Sequence, residues 1–233
     1  MIKSQSSDQF EHIEENLKEI ISAVNEAKIK AGREDEEVHI MAVTKTVPID
    51  AVNFAIQNGI KLIGENRVQE YMSKYEHYDK GANVHFIGHL QTNKIKYIID
   101  KVNMIESVSS VKLANEISKR CERINKKMDV LVQINCDEES KGGIPFPQAE
   151  EFIEEISALD NIKVRGLMTI PPIDNSEEYF HKMRQLYIDI SSKRLDNVSM
   201  DFLSMGMSGD FEQAILHGSN IIRIGTMLFG ARK

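Results

Sequence analysis

Apolar residues recur along this chain in two successive rhythms. The first is helical: Phe10, Ile13, Leu17, Ile20, Ile21 and Val24 return at three- and four-residue steps, with Glu and Lys between them. Ser6 and Gln9 offer a capping box at its start, and Gly32 offers a stop. The rhythm then changes to short apolar runs separated by amphipathic stretches. The runs are Val38–Lys45, Lys61–Asn66, Val84–His89, Met104–Val108, Met128–Cys136, Val164–Ile170, Ser199–Met205 and Ile221–Leu228. Helices are expected over Ile49–Asn58, Val68–Tyr78, Thr92–Lys101, Val111–Ile124, Pro147–Leu159 and Ser176–Lys193, with a short one over Asp210–His217. Strands alternating with helices predict an α/β fold with parallel pairing through right-handed crossovers. No linker, low-complexity tract or internal repeat interrupts the eight units. The pattern therefore predicts one (β/α)8 TIM barrel domain over residues 1–233 with an extra N-terminal helix, and an open doubly wound sheet is the alternative.

Lys45 gives that frame a chemistry. It closes the run Val38-His39-Ile40-Met41-Ala42-Val43-Thr44-Lys45, just before the helix start at Thr46-Val47-Pro48. A lysine at the carboxyl end of a strand stands where α/β proteins place their reactive groups. A desolvated amine can form a Schiff base with a carbonyl ligand. The alternative is a mouth lysine that points at water.

The carboxyl-terminal end narrows the choice. Ser204-Met205-Gly206-Met207-Ser208-Gly209-Asp210 follows the seventh run, and Arg223-Ile224-Gly225-Thr226 lies in the eighth. Glycine lets backbone approach a phosphate, and hydroxyls and free N–H groups bind it. One such turn is weak evidence, but two on consecutive strands match the place where barrels bind phosphate. Arg223 lies among Ile221, Ile222 and Ile224 and needs a partner. That partner is either a carboxylate such as Glu65 or an acceptor on a ligand. A lysine for an aldehyde, a cup for a phosphate and an arginine for a ring nitrogen together describe pyridoxal 5′-phosphate.

Charge and composition exclude other classes. The chain has 233 residues, 28% of them charged and 41% hydrophobic, and a net charge of -7. This argues for a globular protein and against a nucleic-acid or membrane-surface partner. No apolar stretch approaches the ~20 residues that span a bilayer, and Met1–Ser7 has no secretion-signal core. Cys121 and Cys136 show no metal-ligand spacing and are expected as reduced thiols in the cytoplasm. Asp137, Glu138 and Glu139 are expected to face solvent rather than bind metal.

Several segments together resemble the pyridoxal phosphate homeostasis protein family. They are Ala42-Val43-Thr44-Lys45, Gly64-Glu65-Asn66-Arg67-Val68-Gln69-Glu70 and His85-Phe86-Ile87-Gly88-His89-Leu90-Gln91-Thr92-Asn93-Lys94. Ser140-Lys141-Gly142-Gly143, Arg165-Gly166-Leu167-Met168, Leu203-Ser204-Met205-Gly206-Met207-Ser208 and Arg223-Ile224-Gly225-Thr226 extend the match over nearly the whole chain. The resemblance implies a barrel of the alanine racemase N-terminal domain type, without that enzyme's second domain. It implies a Schiff base of pyridoxal 5′-phosphate on Lys45 and phosphate contacts from Ser208, Gly225, Thr226 and the backbone near Met207. It also implies Arg223 facing the pyridine nitrogen and Asn66 lining the pocket. One departure is visible: Arg67 stands where many relatives carry tyrosine.

The expected function is reversible holding of the cofactor for storage, buffering or delivery to pyridoxal-phosphate-dependent apoenzymes, by a cytoplasmic monomer. The alternative is an amino-acid racemase, which needs a second base opposite Lys45. Tyr71, Tyr75, His85 and His89 are the candidates, and Lys141 stands on a loop that could reach the mouth. A Schiff-base aldolase is a third reading, disfavoured because Lys45 is on the first strand rather than a later one.

Overall fold

All eight apolar runs contribute strands to one closed ring. The computed structural model describes residues 10–136 and 142–231. Its strands are β1 (His39–Val43), β2 (Leu62–Glu65), β3 (Asn83–Phe86), β4 (Met104–Val108), β5 (Met128–Asn135), β6 (Ile144–Pro145), β7 (Ile162–Thr169), β8 (Val198–Met207) and β9 (Ile221–Ile224). They pair in parallel in the order β4-β3-β2-β1-β9-β8-β7-β5, and a β4–β5 pairing closes the ring. The two-residue β6 pairs only with β5, through Ile134 and Ile144, so a closed barrel of eight strands lies within the nine-stranded sheet.

The helices surround it: α1 (Glu11–Lys30), α2 (Ile49–Gln57), α3 (Val68–Lys74), α4 (Ile95–Ile98), α5 (Val111–Arg123), α6 (Ala149–Ser157), α7 (Ser176–Ser192), α8 (Phe211–Leu216) and α9 (Thr226–Phe229). Period-two alternation divides each strand between two cores. Ala42, Ile63, Ile222 and Ile224 join the core that reaches the helices. Met41, Leu62 and Ile221 pack with Ile87 inside the ring, and Met104, Leu131 and Met168 form a neighbouring interior cluster. A buried aliphatic side chain contributes roughly 1.5–3 kcal/mol, whereas an exposed ion pair contributes ~0–1 kcal/mol. The two apolar cores, not the surface charges, therefore hold the barrel together.

Helix α1 buries Ile13, Leu17, Ile20, Val24 and Ala27, and Asn16 Nδ2 donates to the Leu228 carbonyl at 3.0 Å. Ile21 falls off this stripe and is exposed. Gly32 adopts φ +65°, and its N–H reaches back to the Ile29 carbonyl, which ends the helix as expected. The expected capping box at Ser6 and Gln9 lies outside the described residues.

The largest departure from the sequence reading is at the last strand. Ile221–Leu228 is extended only to Ile224; Gly225 turns the backbone to φ -117°, ψ -80°, and Thr226–Phe229 form one helical turn. The apolar residues Met227, Leu228 and Phe229 serve a helix that packs on α1, which a short apolar run cannot distinguish from a strand. Likewise Val68–Tyr78 and Thr92–Lys101 each divide into an α-helix and a 3-10 turn. Strand β8 runs past Met205 to Met207, and its register with β9 moves from Ser204–Ile221 to Met207–Arg223. This is a bulge, three residues against two, of the kind that re-aims side chains beside functional sites. Gly206 lies in it at φ +93°, where a Cβ would come within 2.6 Å of Ala214 Cβ on α8.

Candidate functional site

The carboxyl ends of the strands enclose a cavity of about 230 Å³. Lys45, Asn66, Met207, Ser208, Arg223, Gly225 and Thr226 all line it, and Val43, Ile87 and Ile170 supply apolar wall. The topology thus brings together every residue expected at the site. The volume lies below the roughly 300–1,000 Å³ of drug-sized pockets and suits one ring with short substituents.

Lys45 is half-buried, two residues beyond the end of β1, in a turn. The residues beside it are anchored to β2 and α3. Thr44 Oγ1 donates to Glu65 Oε1 at 2.6 Å, and Lys74 Nζ donates to the Thr44 carbonyl at 2.9 Å. Thr46 N–H donates to Glu70 Oε1 at 2.6 Å. Glu65 is fully buried, accepts a further bond from the Tyr78 hydroxyl, and leaves Oε2 with no partner among the described residues. Burial pushes its carboxyl above the usual range, against the hydrogen bonds from Thr44 and Tyr78 and the nearby Lys74 ammonium.

Glu65 is therefore not the partner of Arg223. Alternation turns Glu65 toward the helices and Arg223 into the ring. Arg223 is 3% exposed; Nη2 donates to the Thr169 carbonyl at 2.6 Å and Nη1 to Ser204 Oγ at 2.8 Å. Ser204 Oγ in turn donates to Glu106 Oε2 at 2.7 Å, and Glu106 Oε1 lies 2.6 Å from His85 Nδ1. Burial pushes the guanidinium below its ordinary value, while Glu106 and Asp210 oppose that shift. The sequence reading missed Glu106 as a site-supporting residue. Its signal was available: one carboxylate in the otherwise uncharged run Met104-Ile105-Glu106-Ser107-Val108, which needs a buried partner.

The two glycine-rich loops meet at the opposite wall. Met227 N–H donates to Ser208 Oγ at 3.4 Å, so the loop after β8 touches the turn after β9. Met207 N–H is engaged by Asp210 Oδ1 at 2.6 Å, so that amide is already bonded within its own loop. Across the mouth, Asn66 Oδ1 is buried without a partner among the described residues. Gly88 is required behind it, because a Cβ there would fall 2.1 Å from the Asn66 carbonyl oxygen.

The other singled-out residues lie off the cavity. Tyr71 is buried with its hydroxyl on the Lys101 carbonyl at 2.8 Å, and Tyr75 and His89 are exposed. His85 belongs to the Glu106 network. Arg67 is exposed at the start of α3, so the departure from the family pattern does not alter the cavity wall. Lys141 and the acidic run Asp137–Glu139 lie outside the described residues. Cys121 and Cys136 are both buried, which pushes each thiol up to about 11. No helix among the described residues is long and apolar enough to cross a membrane.

Comparison with known proteins places this geometry in a family. Residues 11–233 match the family model described as alanine racemase, N-terminal domain. A pyridoxal phosphate homeostasis protein from Aquifex aeolicus (strain VF5) is 44% identical over 225 residues, covering 94% of this chain and 98% of that protein. The structure of PipY from Synechococcus elongatus PCC7942 with PLP bound superposes with a TM-score of 0.82 at 27% identity, covering 94% of this chain and 100% of that one. Alanine racemase from Corynebacterium glutamicum shares the fold, with a TM-score of 0.72 at 16% identity over 96% of this chain and 62% of its own. With a barrel closed as in the racemase domain and near full-length similarity to the Aquifex protein, this chain belongs to the pyridoxal phosphate homeostasis protein family.

Proposed function

We propose that this protein binds pyridoxal 5′-phosphate reversibly and serves its storage, buffering or delivery, with Lys45 as the point of covalent attachment. The observation that carries the reading is one small cavity lined at once by an amine, two hydroxyls, a buried guanidinium and a buried amide oxygen that has no partner among the described residues. That donor set fits the cofactor. When bound, pyridoxal phosphate supplies an aldehyde that a lysine amine captures reversibly. Ser208 and Thr226 would offer hydroxyl donors to a phosphate, and Gly225 lines the cavity beside them. Arg223 would stand at the ring nitrogen and, because the guanidinium holds its own proton, would leave that nitrogen unprotonated. Asn66 would line the pocket with its buried Oδ1 turned to a bound ligand.

Holding rather than turnover is the reading we favour. Racemisation requires two bases on opposite faces of the ligand. None of Tyr71, Tyr75, His85 or His89 lines the cavity, and Lys45 is the one amine among the described residues that do. The protein is proposed to act as a single-barrel cytoplasmic monomer that hands the cofactor to apoenzymes.

Borohydride reduction of the loaded protein followed by peptide mass spectrometry tests the attachment. The reduced cofactor is expected on Lys45, and Lys45→Ala is expected to lose both the label and the yellow colour. A label on another lysine, or none, overturns the assignment. Solvent deuterium entering the α-carbon of any amino acid at a useful rate would favour the racemase.

A further inference from the structure

The turn carrying Lys45 is gripped from outside the barrel. Thr46, the next residue, has φ +64°, a region that β-branched side chains rarely adopt. Its N–H donates to Glu70 Oε1, and Lys74 Nζ donates to that same oxygen at 2.6 Å and to the Thr44 carbonyl. Both neighbours of Lys45 are therefore tied to one ion pair on α3. The pair is largely enclosed, with side-chain exposures of 19% for Glu70 and 12% for Lys74. Burial alone would raise the Glu70 carboxyl, but Lys74 and the Thr46 N–H outweigh it and hold it below the usual range. Neither residue lines the cavity. A pair that served only α3 would have no reason to reach two backbone groups of another loop.

We propose that Glu70 and Lys74 are positioning residues that lock the Thr44–Thr46 turn so that the Lys45 amine meets a ligand aldehyde. The proposal rests on the reading of Lys45 as the attachment point. In that step the amine nitrogen bonds to the aldehyde carbon and one water leaves, so no oxidant or reductant is needed. A misplaced turn would slow or weaken this step while leaving the phosphate cup and Arg223 untouched.

The test compares two ligands on the full chain: pyridoxal 5′-phosphate, and pyridoxine 5′-phosphate, which has an alcohol in place of the aldehyde. Glu70→Gln and Lys74→Gln should each weaken aldehyde binding by about tenfold, since small misplacements of reacting groups carry penalties of that order or more. Alcohol binding should stay within about twofold, because it needs no bond to Lys45. Adding Thr46→Gly to Glu70→Gln should restore aldehyde binding, because glycine takes positive φ without a Cβ cost. Equal weakening of both ligands, no weakening of either, or failed rescue overturns the proposal. If Glu70→Gln does not melt cooperatively, Lys74→Gln decides the comparison. The underlying reading fails separately, and the proposal with it, if the unmodified protein binds both ligands equally and borohydride fixes no label on Lys45.

Discussion

The two sides of the cavity are held by opposite layers of the barrel. On the β1–β2 side, Lys45 rides on a turn tied outward, to α3 and to Glu65 in the layer between strands and helices. On the β8–β9 side, Arg223 is tied inward, through Ser204 to Glu106 within the ring. Both sides rest on a fully buried glutamate, but the two differ in what they lack. Glu106 has a partner on each oxygen, whereas among the described residues Glu65 has its hydrogen-bond partners on Oε1 alone. The inner carboxylate is bridged to a buried guanidinium through Ser204. The outer one, with Lys74 at 3.9 Å as its one cation partner among the described residues, is pushed by burial toward its neutral form. The Lys45 turn is thus held by a clamp on the helix side, and Arg223 by a hydrogen-bonded chain inside the ring.

The contrast can be broken most forcefully at Glu106. Glu106→Gln leaves Arg223 without its ring counter-charge, and losing one partner of a buried pair costs about 3–5 kcal/mol. A lower urea midpoint with an unchanged slope is the expected result. A midpoint equal to that of the unmodified protein would mean that Glu106 and Arg223 do not depend on one another. Next in size is the pair of hydroxyls proposed to hold the phosphate. Ser208→Ala with Thr226→Val should weaken pyridoxal 5′-phosphate binding by about 2 kcal/mol, or ~30-fold, because hydrogen bonds to charged groups contribute about 1.5–3 kcal/mol. Unphosphorylated pyridoxal should bind both forms alike, and an equal loss for the two ligands would place the phosphate elsewhere.

The smallest effect is expected at Glu65. Its folded carboxyl titrates above the value of 4.5 that it has in the open chain. The folded state therefore holds the proton longer, and stability falls as pH rises from 4.5 through the raised value. Glu65→Gln removes the titration, so its stability should be flatter over that window and within about 1 kcal/mol of the unmodified protein at neutral pH. Thermal melts across pH would show it. Parallel curves for the two proteins would mean that Glu65 stays ionised in the fold.

Much of this architecture is legible in one dimension. The runs from Val38–Lys45 to Ile221–Leu228 announce their strands because period-two burial is a local property. Lys45, Ser208 and Arg223 are legible because a charge in an apolar run, or a hydroxyl in a glycine turn, needs an explanation wherever the chain goes. The end of β9 is less legible, since Met227-Leu228-Phe229 satisfies a strand and a helical turn equally well. Only contact with α1 chooses between them.

Spacing and side-chain type suffice to specify the barrel and the residues at its mouth. Which buried groups bond to one another follows from the folded ring. Ser204 and Glu106 are separated by 98 positions, and Arg33 finds the Ile215 carbonyl across 182. Such partners follow from strand register and the direction each side chain takes around a closed ring. That is why Arg223 meets Ser204, and through it Glu106, in the interior, and Glu65 meets Tyr78 and Lys74 outside it.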